Sequence, residues 1–182
     1  SVYRIIIITG GEISHKYFCN KISKEHNVVH VFKIYSGLSN EEYFSSTYKD
    51  YNEYDKQIID TVVKLRIEAQ EEFLLPDGND FSDIAITHYR DRSLINDEKA
   101  IGKINSFKPT HILLYGAPLL NSNFINAMNC PIVNLHMGVA TKYRGGSANN
   151  IALLERDYGN VGYTLHHVTT AIDGGKIIYI GR

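Results

Sequence analysis

Four consecutive isoleucines, Ile5-Ile6-Ile7-Ile8, lie within the run Arg4–Thr9 and leave this chain few options. β-Branched side chains are stiff at χ1 and suit a pleated surface. A continuous apolar run of this length reads as a buried strand. Gly10-Gly11 end it with a turn that needs unusual backbone freedom. Ser14 is expected to cap a helix running to about Glu25, and Val28–Ile34 reads as a second apolar strand. Strand, helix and strand in that order point to a parallel sheet.

The rest of the chain continues the alternation. Residues 37–50 read as polar and turn-rich. Residues 52–75 show helical spacing through Ile58, Ile59, Val62, Val63, Leu65, Ala69 and Phe73. Pro76-Asp77-Gly78-Asn79-Asp80 is a strong break. Beyond it Asp83–Thr87 reads as a short strand, Leu94–Ile104 as a helix, and His111–Tyr115 as a buried strand closed by Gly116-Ala117-Pro118. Phe124–Met128 reads as a short helix, Ile132–His136 as a strand and Ala148–Arg156 as a helix. Gly162–Val168 and Lys176–Ile180 read as strands flanking an Asp-Gly-Gly turn. With no repeat, low-complexity tract or linker, the expectation is one doubly wound α/β domain over residues 1–182, with a mostly parallel sheet.

Composition narrows the partners. A globule of 182 residues buries about 70% of its unfolded surface, so it needs no disulfide or metal to hold a core. With 43% hydrophobic and 21% charged residues, wholesale disorder is excluded; 14 Gly and 4 Pro exclude collagen-like and mucin-like chains. A net charge of −1 disfavours nucleic acid as the main partner, since phosphate-backbone binders carry a positive excess. The isoleucine run falls far short of the roughly 20 residues of a membrane span, and the N-terminus lacks a secretory pattern. Cys19 and Cys130 are far apart and form no metal or disulfide framework, so a reducing cytoplasmic setting is expected. The chain opens on Ser and closes on a strand, Ile177–Arg182, so a truncated sequence is expected.

Three segments could do chemistry. In Ile132-Val133-Asn134-Leu135-His136 side chains alternate, so Asn134 and His136 share a face. They fall near the carboxyl end of a parallel strand, where open α/β sheets bind ligands. An amide N–H and a titratable imidazole together can hold a carbonyl oxygen as it becomes an oxyanion. Taken alone, His136 is more simply a strand-end cap. The next segment, residues 137–146, is a long irregular loop, of the kind that carries function. The third segment is His166-His167-Val168-Thr169-Thr170-Ala171-Ile172-Asp173-Gly174-Gly175, which alone reads as a hairpin turn. A zinc site from His136, His166 and His167 is disfavoured, because adjacent strand residues point to opposite faces and no further ligand stands at metal spacing.

Asn134-Leu135-His136, then Lys142-Tyr143-Arg144-Gly145, then Asp173-Gly174-Gly175 resemble the formyltransferase family that uses 10-formyltetrahydrofolate. The resemblance is sharpest over about residues 110–180. It implies the family's Rossmann-like fold and three catalytic groups. Asn134 would donate to the formyl oxygen, protonated His136 would stabilise the same oxyanion, and Asp173 would orient the imidazole and help remove the amine proton. It also implies a pterin pocket between Gly116, Ala117, Pro118, Leu119 and Leu120 and the later loop with Thr170 and Ile172. Leu119 and Leu120 read equally as core. Gly10 and Gly11 would cradle a phosphate or another part of the acceptor at a helix N-terminus, and Lys142 or Arg144 would hold its phosphate or carboxylate unless they are solvated loop charges. No metal and no covalent enzyme intermediate is required.

The sequence also departs from the family. Met137-Gly138-Val139 follows the histidine where several members carry Ser or Pro-Ser, and Glu12 stands where ribonucleotide transformylases hold a ribose phosphate. A carboxylate there repels phosphate. The near-neutral charge and the lack of a visible second domain argue against a tRNA acceptor. The acceptor expected from the resemblance is therefore a nucleotide-linked amino sugar, with glycinamide ribonucleotide as the alternative and a homodimer formed through a region beyond this chain. A hydrolase of the same donor and a non-enzymatic ligand-sensing module on the same fold are the competing classes.

Overall fold

A computed structural model describes residues 2–35, 37, 40–75, 84–171 and 175–182. The isoleucine run forms β1 (Ile5–Thr9), followed by α1 (Ile13–Glu25), β2 (Val28–Ile34), α2 (Asn40–Thr47), α3 (Glu53–Leu74) and β3 (Ile86–Tyr89). After a 3₁₀ turn at Arg92–Asn96 come α4 (Glu98–Ser106), β4 (His111–Tyr115), α5 (Ser122–Ala127), β5 (Ile132–His136) and α6 (Ala148–Leu154). A second 3₁₀ turn, Tyr158–Asn160, leads into β6 (Tyr163–His167) and β7 (Ile177–Gly181).

The seven strands form one sheet in the order β3-β2-β1-β4-β5-β6-β7. β1 to β5 are parallel, and β6 and β7 close the sheet antiparallel. The winding reverses between β1 and β4, which is where a doubly wound sheet opens its ligand crevice. Helices cover both faces, so Ile6, Ile7 and Ile8 are fully buried. On one face Ile6, Ile8, Phe32, Ile112 and Leu114 pack against Ile95, Ile104 and Phe124. On the other, Ile5, Ile7 and Val31 pack against Phe18, Cys19 and Ile22 of α1. Among the described residues no helix is long and apolar enough to cross a membrane.

Four local expectations are corrected. The N-cap of α1 is Glu12, not Ser14: the Glu12 side chain accepts from the His15 N–H, while the Glu12 N–H donates to His15 Nδ1 at 3.2 Å. Residues 37–50 contain α2, held from outside by Tyr48, which is 2% exposed. The single helix over Leu94–Ile104 is broken because Asp91 caps the 3₁₀ turn and Asp97, in extended conformation, restarts the chain as α4. The third strand begins at Ile86, later than expected, and the break at residues 76–80 lies outside the described residues.

Candidate active site

β5 presents Asn134 and His136 on one face, and the antiparallel register of β6 sets His166 opposite Asn134 and Thr164 opposite His136. Four polar side chains therefore meet at the end of β5. Their hydrogen bonds define how they are held. His166 Nδ1 lies 2.9 Å from the His167 carbonyl, which only accepts, so Nδ1 carries the proton. In the neutral ring Nε2 then accepts, and the Asn134 Nδ2 donates to it at 3.2 Å. This bond fixes which way the Asn134 amide faces and leaves its second N–H to aim elsewhere.

His136 Nε2 donates to the Tyr143 carbonyl at 3.1 Å, and the residue is 6% exposed. The following loop folds tightly over it. A Cβ on Gly138 would stand 2.6 Å from His136 Nε2, so only glycine lets the backbone pass there. Thr164 pins the loop from β6: its hydroxyl donates to the Gly138 carbonyl at 2.7 Å and accepts from the Ala140 N–H at 3.0 Å. Ser147, just before α6, is gripped from the other side. The Tyr48 hydroxyl donates to Ser147 Oγ at 2.9 Å and accepts from Asn150 Nδ2 at 2.7 Å.

Lys142 is paired with Asp157, which also accepts from the Tyr143 hydroxyl at 2.9 Å. The Lys142 ammonium holds the Asp157 carboxyl below its usual range, and the bond to Glu155 raises the Tyr143 hydroxyl. Arg144 is exposed, with Nε donating to the Ala140 carbonyl at 3.3 Å.

At the crevice between β1 and β4 the His15 ring lies between the two glycine turns. A Cβ on Gly10 would stand 2.7 Å from His15 Nδ1, and one on Gly116 would land on the ring itself. The ring meets Tyr115 edge-on at 4.6 Å. Burial lowers the His15 pKa, so the ring is an uncharged floor. Gly10 thus packs on His15, and the Glu12 carboxylate caps α1 at this turn.

On the expected folate side, Leu119 is 68% exposed, whereas Ala117 and Leu120 pack on the core and Pro118 is buried. Asn96 ties this turn down, donating to the Leu119 carbonyl at 3.0 Å and accepting from the Asn121 N–H at 2.8 Å. Thr170 is exposed beyond β6; Ile172 and Asp173 lie outside the described residues. Burial pushes the Cys19 thiol up to about 12, which leaves it inert. Among the described residues no group of three His, Cys, Asp or Glu could hold a metal ion.

Sequence reasoning missed His166 as the partner of Asn134, Thr164 as the loop pin, and Tyr48. The alternation along β6 puts His166 and Thr164 on one face, but which face depends on an antiparallel register that no local pattern sets.

A family model described as formyl transferase matches residues 4–181. No curated protein matches the chain. Solved structures of similar fold include glycinamide ribonucleotide transformylase 1 from Symbiobacterium toebii, 16% identical with a TM-score of 0.60 over 98% of this chain and 72% of that one. Phosphoribosylglycinamide formyltransferase from Anaplasma phagocytophilum is 16% identical with a TM-score of 0.64, over 99% and 71%. A variant of HypX from Aquifex aeolicus is 12% identical with a TM-score of 0.53, over 100% of this chain but 21% of its own. At these identities the likeness is one of fold.

Proposed function

The chain belongs to the formyl transferase family and is an N-formyltransferase, and on that premise we propose that it moves a formyl group from 10-formyltetrahydrofolate to the primary amine of a nucleotide-linked amino sugar. The amine nitrogen attacks the formyl carbon and a C–N bond forms. The carbonyl oxygen takes up the electron pair as an oxyanion, which the second Asn134 N–H and the His136 side chain stabilise. Asp173 assists removal of the amine proton. The oxyanion collapses, the bond to the folate nitrogen breaks, and that nitrogen is protonated as tetrahydrofolate leaves.

The observation that carries the acceptor class is the closed N-terminus of α1. Its Glu12 carboxylate already accepts the His15 N–H, and a phosphate monoester placed there would meet that charge. The experiment mixes the protein with 10-formyltetrahydrofolate and a panel of nucleotide-linked amino sugars and glycinamide ribonucleotide, and follows tetrahydrofolate release. Formylation of a nucleotide-linked amino sugar is expected. Preference for glycinamide ribonucleotide would overturn the acceptor, and donor cleavage that no amine accelerates would make the protein a hydrolase.

A further inference from the structure

A second cluster stands at the carboxyl edge of β1, β2 and β3, apart from Asn134 and His136. The register pairs Thr9 with Lys33 and Lys33 with His88. Tyr35 follows β2, its N–H donating to the Tyr89 carbonyl at 3.0 Å. Its ring is stacked with His88 at 5.8 Å and 19°, and its hydroxyl lies 3.1 Å from His88 Nδ1. Lys33 Nζ is 5.7 Å from the centre of the Tyr35 ring. Gly11 opens onto this group: a Cβ there would lie 3.6 Å from Lys33 Cε and 3.8 Å from the Tyr35 ring.

Packing does not account for this group. Tyr35 is 40% exposed, His88 is exposed, and neither belongs to a hydrophobic cluster. Among the described residues no salt bridge occupies Lys33. Arg66 of α3 adds a second positive charge, acting with Lys33 on His15 at the crevice floor. Glu12, the nearby acid, acts on His15 in the opposite sense to these two cations. Exposed aromatic faces beside the Lys33 ammonium suit a ligand with a flat ring and negative charge.

We propose that this edge seats a nucleoside diphosphate, the base against the Tyr35–His88 pair and the diphosphate at Lys33. This rests on the reading of the acceptor as nucleotide-linked and says where the nucleotide goes. β2 and β5 are three strand spacings apart, about 14 Å, so the platform is too far for the amine to be on the nucleoside itself. A hexose joined through a diphosphate bridges that gap. The uncharged hexose ring, not the diphosphate, crosses the sheet edge above His15, between the Gly11 and Gly116 turns, with its amine toward Asn134.

The test titrates UDP, dTDP, ADP and GDP into the intact protein by calorimetry, with inorganic pyrophosphate as the probe lacking a base. At least one nucleoside diphosphate is expected to bind more tightly than pyrophosphate. Tyr35→Ala is expected to weaken it about 10-fold, the weight of one lost base–aromatic stack, while leaving pyrophosphate unchanged. Lys33→Ala is expected to weaken both and flatten the salt dependence. Tyr35→Phe keeps the ring and is expected to bind as wild type, which separates stacking from misfolding. If no nucleotide binds the folded protein, or if Tyr35→Ala and Lys33→Ala leave binding unchanged, the proposal is wrong. Nucleotide binding without formylation of any nucleotide-linked amine would keep this seat and defeat the acceptor reading; formylation of a nucleotide-free amine with no nucleotide binding would defeat both and leave formyl transfer standing.

Discussion

His166 should act on catalysis through Asn134. Its Nε2 accepts from the amide at 3.2 Å while its own orientation is set by the His167 carbonyl at 2.9 Å. His166→Leu removes that acceptor. One hydrogen bond is worth about 0.5–1.5 kcal/mol net, so the bias toward the productive amide orientation falls by at most about 10-fold. Asn134→Ala removes the proposed oxyanion donor itself and should cost about 10²–10³ in kcat. His166→Leu should therefore lower kcat about 10-fold, leave both KM values near wild type, and destabilise the fold by about 1–3 kcal/mol through the orphaned amide. His166→Gln, which offers an acceptor again, should recover most of the loss. The assay is single-turnover formation of tetrahydrofolate at saturating substrates. In an Asn134→Ala background His166→Leu should cost nothing further in rate. Losses that multiply in the double variant would refute the orientation argument, as would a single-variant loss equal to that of Asn134→Ala.

Three further outcomes follow from the packing. Tyr48→Phe strips Asn150 and Ser147 of their shared partner and should cost about 1–3 kcal/mol, with faster hydrogen exchange in α2; unchanged exchange would mean that Tyr48 does not tether it. Gly116→Ala combines a φ of +66° with a methyl pressed onto His15, and should cost about 2–4 kcal/mol by denaturant melt. His15→Ala in the same chain should return the steric part, giving a coupling of about 1 kcal/mol or more, and strict additivity would contradict the contact. His15 and His30 both have pKa values lowered chiefly by burial, so below about pH 6.5 the unfolded chain binds protons that the fold refuses. Stability is then complete above that pH and declines on acidification by up to about 1.4 kcal/mol per pH unit for each histidine. His30→Phe, placing a third ring beside Phe32 and Phe107, should flatten the slope measured by urea melts between pH 7.5 and 5.5.

What the sequence revealed depended on how local the cause was. β2, β4 and β5 have the expected bounds because each is a run of apolar residues closed by turn chemistry. α2 was hidden because its support is a tyrosine beyond its end, bonded to a serine ninety-nine positions away. The residue that caps α1 was misread because its partner is a histidine, whose ring nitrogen substitutes for the usual Glu or Gln of a capping box. Asn134 and His136 were legible as a pair because alternation is a property of one strand. The pairing of Lys142 with Asp157 was not legible because Asp157 comes to it only across the turn of α6.

The two halves of the crevice are held by different kinds of bond, and this bears on how the acceptor could change. His136, His166 and Thr164 are all fixed by backbone carbonyls or amides, which substitutions of neighbouring side chains leave in place. Tyr35, His88 and Lys33 are fixed largely by one another. About 14 Å separates their strand from β5, beyond the 7–10 Å within which substitutions usually couple. Tyr35→Ala and Asn134→Ala should therefore add within about 0.5 kcal/mol in log kcat/KM, the first raising KM for the acceptor and the second lowering kcat. Coupling well above that, read from the four rate constants of the cycle, would mean that the nucleotide end and the formyl end are not independent, and that the acceptor cannot be exchanged without retuning the catalytic amide.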